Sequence, residues 1–79
     1  MEKEIRFLCS RRSTLELELI LSAFFTDRWR DLEGNEKEDF FRIIQLEDSL
    51  LEKVLFKKQI PPSWLNEKLV AEIRSHKIK

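Results

Sequence analysis

The chain of 79 residues contains one cysteine, one glycine, two prolines and no tyrosine, and these shortages exclude several kinds of site. Cys9 has no partner for an internal disulfide, which fits a reducing compartment. A single glycine, Gly34, cannot build a glycine-rich phosphate loop. A structural zinc site needs four clustered ligands, whereas Cys9 and the only histidine, His76, lie at opposite ends of the chain. We therefore expect no metal site and no covalent cross-link.

The sequence also lacks an excess of either charge and any long apolar run. Its 15 basic residues balance its 15 acidic residues, which argues against a general nucleic-acid binder and against capture on an anionic membrane. The apolar run at residues 19–21 ends at Ser22, far short of the ~20 residues that a transmembrane helix needs. The first residues mix acids and bases, unlike a signal peptide. We expect a cytoplasmic protein that neither binds nucleic acid nor inserts into membranes.

The residues that are abundant, Leu, Glu and Lys, favour helices, and the spacing of the apolar residues agrees. The pattern predicts helices over residues 4–11 and 14–31. It predicts three more that open at Asn35, at Asp48 or Ser49, and at Ser63. The second helix carries an apolar stripe, widened by two further aromatic residues, at Leu17, Ile20, Leu21, Phe24, Phe25 and Trp29. The sequence therefore predicts an all-α fold, a compact single-domain five-helix bundle over residues 1–79.

The breaks between the helices carry local signals of their own. Gly34 is expected to supply the turn after the second helix, and Asn35 with Glu38 forms an N-cap pattern for the third. Pro61 and Pro62 are expected to stop the fourth helix, because the residue before a proline resists the α conformation.

The chain end has signals as well. His76 is expected to be solvated near the end of the fifth helix. Arg74, Lys77 and Lys79 are expected to complement the dipole of that helix.

The segment from Arg11 to Glu16 is the most informative part of the chain. Ser13 and Glu16 have the spacing of a capping box, and the arginine pair would lie exposed at the end of the first helix. On the residues alone this cap, worth about 1 kcal/mol, explains the segment better than a binding role does. Catalysis is not expected, because the helical spacing places the Cys9 thiol on an apolar face as a small buried residue.

The order of these features resembles the flavinator family, the small FAD-assembly factors of succinate dehydrogenase and fumarate reductase (the SdhE group in bacteria). The hallmark of that family is Arg-Gly-x-x-Glu within the longer pattern Cys-Arg-Arg-Gly-x-x-Glu-Leu-Asp. Residues 11–18 of this chain stand where that pattern has Arg-Arg-Gly-x-x-Glu-Leu-Asp. The likeness spans residues 5–57 and continues through Phe24-Phe25, Trp29, Leu32, Glu36, Phe40, Ile43-Ile44, Glu47-Asp48, Leu51 and Leu55. Two residues depart from the family pattern: Ser13 replaces its glycine and Val54 replaces its usual tryptophan.

This resemblance implies a five-helix fold and a binding role. The protein would engage the flavoprotein subunit of succinate dehydrogenase or fumarate reductase and promote covalent attachment of FAD to a histidine of that subunit. FAD would be the cofactor of the client, with none bound stably by this chain, which is expected to be a monomer. By matching position, the contact surface would be Arg12, Ser13 and Glu16, supported by Arg11 and Glu18.

The alternative is a function unrelated to flavin. A small helical module of this kind could bind nucleic acid or regulate another protein.

Overall fold

The computed structural model describes residues 2–57 and 59–76, which form five α-helices and one short 3-10 turn. The elements are α1 (Glu2–Ser10), α2 (Leu15–Arg28), the 3-10 turn (Trp29–Asp31), α3 (Gly34–Ile44), α4 (Asp48–Leu55) and α5 (Glu67–Ser75). These described residues contain no strand, and none of their helices is long and apolar enough to cross a membrane. The prediction of an all-α fold with five helices is confirmed.

Helix α2 lies at the centre of the fold and packs against α1, α4 and α5. Its predicted stripe is buried along its whole length, because residues spaced by three and four fall on one side of a helix. Phe24 lies 5.5 Å from Phe40 of α3, ring centre to ring centre, and Phe25 lies 5.1 Å from Trp29. The core is thus an aromatic cluster on α2 that the other helices enclose.

Two of the predicted helix starts are wrong by a few residues. Helix α3 begins at Gly34, where the Glu36 Oε1 atom accepts a hydrogen bond of 3.1 Å from the Glu33 N–H, so Asn35 is not the cap. Helix α5 is capped by Asn66 rather than Ser63. The Asn66 side chain accepts from the Leu69 N–H at 3.1 Å and donates to Asp39 of α3 at 3.1 Å. The hydrogen bond from Asn66 to Asp39 of α3 is made at the observed start of α5, which lies later in the chain than predicted. The local sequence pattern does not predict this long-range contact.

The two ends of α4 also differ from the prediction. Its N-cap is Glu47, not Asp48 or Ser49, because the Asp48 carboxylate is directed toward the α1–α2 connection. The helix ends at Leu55, well before the two prolines. There the Gln59 N–H donates to the Lys53 carbonyl at 2.9 Å and closes the last turn. Backbone hydrogen bonds, rather than proline, therefore end α4.

The end of α5 is more tightly held than the sequence predicts. The His76 side chain is 13% exposed, and its Nε2 atom lies 3.0 Å from Asp27 Oδ2. Its ring meets Phe24 edge-on, so the prediction of a solvated histidine is wrong. Arg74 donates to the Val54 carbonyl at 2.7 Å and to the Gln59 carbonyl at 3.0 Å, which ties α5 to the end of α4. Lys77 and Lys79 lie outside the described residues.

The structure changes the interpretation of Gly34 and allows a test. Its φ lies outside the left-handed region that favours glycine, and no atom beyond its chain neighbours and the backbone of its own helix lies within 4 Å of the position a Cβ would occupy. We expect Gly34→Ala to raise the free energy of unfolding by about 0.4–1 kcal/mol, because alanine restricts the unfolded chain more than glycine. Urea denaturation followed by circular dichroism measures this. A loss of stability would show that the start of α3 requires glycine.

Candidate partner-binding surface

The five residues predicted to form a binding surface lie in the α1–α2 connection and in the first turn of α2. Arg11, Ser13 and Glu16 are exposed, whereas Arg12 and Glu18 are partly buried. The segment therefore presents alternate residues outward and inward around the turn. The outward residues can meet a partner, and Arg12 connects the turn to the rest of the fold.

Arg12 is the main inward residue, and its side chain is only 5% exposed. Its Nε donates to the Leu8 carbonyl at 2.7 Å, at the end of α1. Its Nη1 donates to the Leu46 carbonyl at 3.2 Å and to the Asp48 carboxylate at 2.9 Å, and its Nη2 donates to the Ile44 carbonyl. Carbonyls at helix ends lack partners within the helix, and a planar guanidinium can satisfy several of them at once. The expectation that both arginines are exposed is wrong for Arg12.

Asp48 joins the Arg12 side chain to the backbone of the α1–α2 connection. Its Oδ1 atom pairs with Arg12, and its Oδ2 atom accepts a hydrogen bond of 2.6 Å from the Ser13 N–H. Burial would raise the pKa of the Asp48 carboxyl, but the hydrogen bonds from Ser13 and Arg12, with the charge of Arg12, outweigh it and hold the pKa below its usual 3.8. The carboxylate therefore holds the backbone of the turn in place.

The cap of α2 is Thr14, so the predicted capping box of Ser13 and Glu16 is wrong. The Thr14 Oγ1 atom accepts from the Leu17 N–H at 3.3 Å. The Ser13 N–H, which the Glu16 side chain was expected to reach, is bonded to Asp48 instead. This leaves Glu16 on the exposed side of the first turn.

The exposed residues have neighbours that the local sequence pattern does not show. The Arg11 guanidinium lies over the Phe7 ring, 5.8 Å from its centre, and that ring is 60% exposed. On the other side, Glu16 shares a shallow groove of about 220 Å³ with Thr14, Glu52, Phe56 and Lys57. Sequence reasoning missed Glu52 and Phe56 because the fold, and not the local spacing, brings the end of α4 to this place.

The Cys9 thiol lies beneath this region and is 1% exposed. Burial raises the pKa of Cys9 to about 12, although the charges of Arg12 and Arg6 act in the opposite direction. The thiol is therefore protonated at neutral pH and poorly suited to nucleophilic attack. The prediction of a small buried thiol is confirmed.

Comparison with known proteins identifies the family of this chain. The family model described as "Flavinator of succinate dehydrogenase" matches residues 3–77. This chain belongs to that family. It is 36% identical to the FAD assembly factor SdhE of Coxiella burnetii (strain RSA 493 / Nine Mile phase I), over 91% of this chain and 87% of that protein. No solved structure matches the chain. The family resemblance seen in the sequence is confirmed, and the family is one of assembly factors rather than of catalysts.

The network around Arg12 predicts a large loss of stability on truncation. Arg12→Ala should lower the free energy of unfolding by about 3–5 kcal/mol, because it leaves three carbonyls without their donor and Asp48 without its charge partner. Arg12→Lys should lose less, since it keeps the charge but not the planar fork. Urea denaturation measures both. Arg11→Ala, the matched control at an exposed position, should stay within about 0.5 kcal/mol of wild type. Equal changes in the free energy of unfolding for Arg11→Ala and Arg12→Ala would contradict a stabilising role of the Arg12 hydrogen bonds.

The lowered pKa of Asp48 predicts a pH dependence of stability. Because the folded carboxyl binds its proton less tightly than the unfolded chain does, its contribution is present above about pH 5 and is lost as the pH falls through 4 and below. Asp48→Asn should therefore be less stable than wild type at pH 7, and the difference should narrow toward pH 3. Urea denaturation across this range measures the difference. Glu38→Gln, on an exposed position of α3, is the control and should differ little from wild type throughout. A difference that stays constant with pH would refute the assignment.

Proposed function

We propose that this chain promotes covalent attachment of FAD to the flavoprotein subunit of succinate dehydrogenase, or of fumarate reductase, by binding that subunit. The observation that carries the proposal is the family match over residues 3–77. The named relative, an FAD assembly factor, supports it at 36% identity. The protein works in the cytoplasm as a monomer, without a stably bound cofactor of its own.

In this function the reactive groups belong to the client and to FAD. The buried, protonated Cys9 thiol does not offer covalent catalysis. The contribution of the chain is to stabilise a client conformation in which the flavin and its acceptor histidine meet. Holding two reactants in the right geometry removes much of the entropic barrier between them, and this requires a binding surface rather than an acid or a base.

In this proposal the five predicted residues have two roles, and their exposure supports the division. Arg11, Ser13 and Glu16 are exposed and make the direct contacts with the client. An arginine suits this role because its guanidinium binds a carboxylate through two hydrogen bonds, and Glu16 can accept from a client arginine in the same way. Arg12 holds the turn from beneath, and partly buried Glu18 borders the surface in the first turn of α2.

Ser13 departs from the family glycine, and the structure supports its compatibility with the same turn. The hydrogen bond to Asp48 comes from the main-chain N–H, which serine and glycine both possess. The serine side chain is exposed and therefore lies on the face that the client would meet.

Substitution at the two charged contact positions tests the proposal. Arg11→Ala and Glu16→Ala should fold normally but lower covalent flavinylation of the client subunit, measured by flavin fluorescence of that subunit after denaturing electrophoresis. The reduction should be about tenfold for a contact worth 1.4 kcal/mol. Arg30→Ala and Glu38→Ala, which remove the same charges from exposed positions in the 3-10 turn and in α3, serve as matched controls.

Normal flavinylation with the stable Arg11 and Glu16 variants would refute the proposed surface. Affinity capture from native lysate separates the proposal from its alternative. Recovery of the flavoprotein subunit supports the proposal, whereas salt-sensitive recovery of nucleic acid favours an unrelated helical module.

A further inference from the structure

The first half of helix α2 carries leucines on two of its sides, and only one of these sides is buried. The side chains of Leu15 and Leu19 are 67% and 43% exposed, while the stripe from Leu17 to Phe25 lies in the core. A helix at the surface of a globular protein usually turns polar residues toward solvent. The second apolar face therefore contributes little to the core and calls for another explanation.

Leu15 and Leu19 form one continuous patch. They lie four residues apart in α2, so their side chains are neighbours on the same side of the helix. Single exposed leucines are common on soluble proteins. A pair at helical spacing is different, because Leu15 lies inside the segment from Arg11 to Glu16 and the patch is continuous with the proposed client surface.

Acidic residues border this patch on two sides. Each residue advances about 100° around a helix, so Glu16 and Glu18 fall on opposite flanks of the line from Leu15 to Leu19. On the Glu16 side the shallow groove adds a second glutamate, Glu52 of α4, together with one lysine, Lys57. The arrangement of an apolar centre with a charged rim is the usual anatomy of a protein interface.

We propose that Leu15 and Leu19 form the apolar centre of the interface with the flavoprotein subunit, and that they receive an apolar segment of that subunit bordered by lysine or arginine side chains. The inference rests on the proposed function and adds the chemistry of the segment that the client presents. The apolar contact excludes water from the interface. The acidic border selects a basic partner surface and orients it.

A double substitution tests this inference directly. Leu15→Ser with Leu19→Ser should leave the fold intact, because both side chains are exposed, yet weaken binding of the purified flavoprotein subunit about tenfold or more in calorimetric titration. Ile60→Ser is the matched control: Ile60 is an exposed aliphatic residue, 82% accessible, in the α4–α5 connection. The control should bind within about twofold of wild type.

The basic border of the client segment has its own test. Glu18→Lys, with its fold checked by circular dichroism, should weaken binding, and higher salt should weaken binding of wild type. Unchanged or stronger binding by Glu18→Lys would overturn the proposed partner chemistry.

The results of the binding, flavinylation and sedimentation measurements distinguish a failure of this inference from a failure of the function on which it rests. If the leucine variant binds the client like wild type while Arg11→Ala or Glu16→Ala weakens binding, the apolar contact is wrong and the function stands. If wild type neither binds nor flavinylates the client, both are wrong. If sedimentation shows a wild-type dimer that the leucine substitutions separate, with client affinity unchanged, the patch serves a second copy of the chain and the inference is overturned.

Discussion

The buried guanidinium of Arg12 is the interaction on which the arrangement of this small fold depends. It donates to backbone carbonyls at the end of α1 and at and just after the end of α3, and it pairs with the Asp48 carboxylate at the start of α4. A buried cation is tolerated only when its donors are satisfied. The three chain segments must therefore be positioned together, and the α1–α2 connection is held by the same bonds. Arg12 thus both stabilises the fold and holds the backbone of the candidate surface in the α1–α2 connection.

The parts of the fold that sequence alone predicts are those governed by local periodicity. The stripe of α2 and the buried residues of α3 and α4 follow from apolar spacing, because burial on one side of a helix imposes it. The sequence predicts the helix ends less well, since the residues there also contact distant parts of the chain. Asn66 caps α5 through its Oδ1 atom while its Nδ2 atom donates to Asp39, and Asp48 pairs with Arg12 instead of capping its own helix. The local sequence pattern does not predict these long-range partners.

The same distinction applies to the candidate surface. The order of the residues in the family pattern predicts its position, and this stays a prediction, but the sequence does not predict the inward direction of Arg12. An arginine after a helix is ordinarily read as an exposed charge, and only the folded chain reveals the carbonyls that surround this one. Neither Phe56 nor Glu52 could be assigned beside Glu16 without the fold. The groove beside Glu16 is built from residues of α2, of α4 and of the chain just after α4, so one short motif cannot predict its lining.

The hydrogen bond between Asp48 and the main chain of Ser13 has a consequence for how this surface can diverge between relatives. Its donor is a peptide N–H, which every residue except proline supplies. Any residue except proline can therefore make this hydrogen bond, so the bond itself does not restrict the side chain at position 13. The side chain at this position can therefore differ while the contact between the α1–α2 connection and the start of α4 is kept.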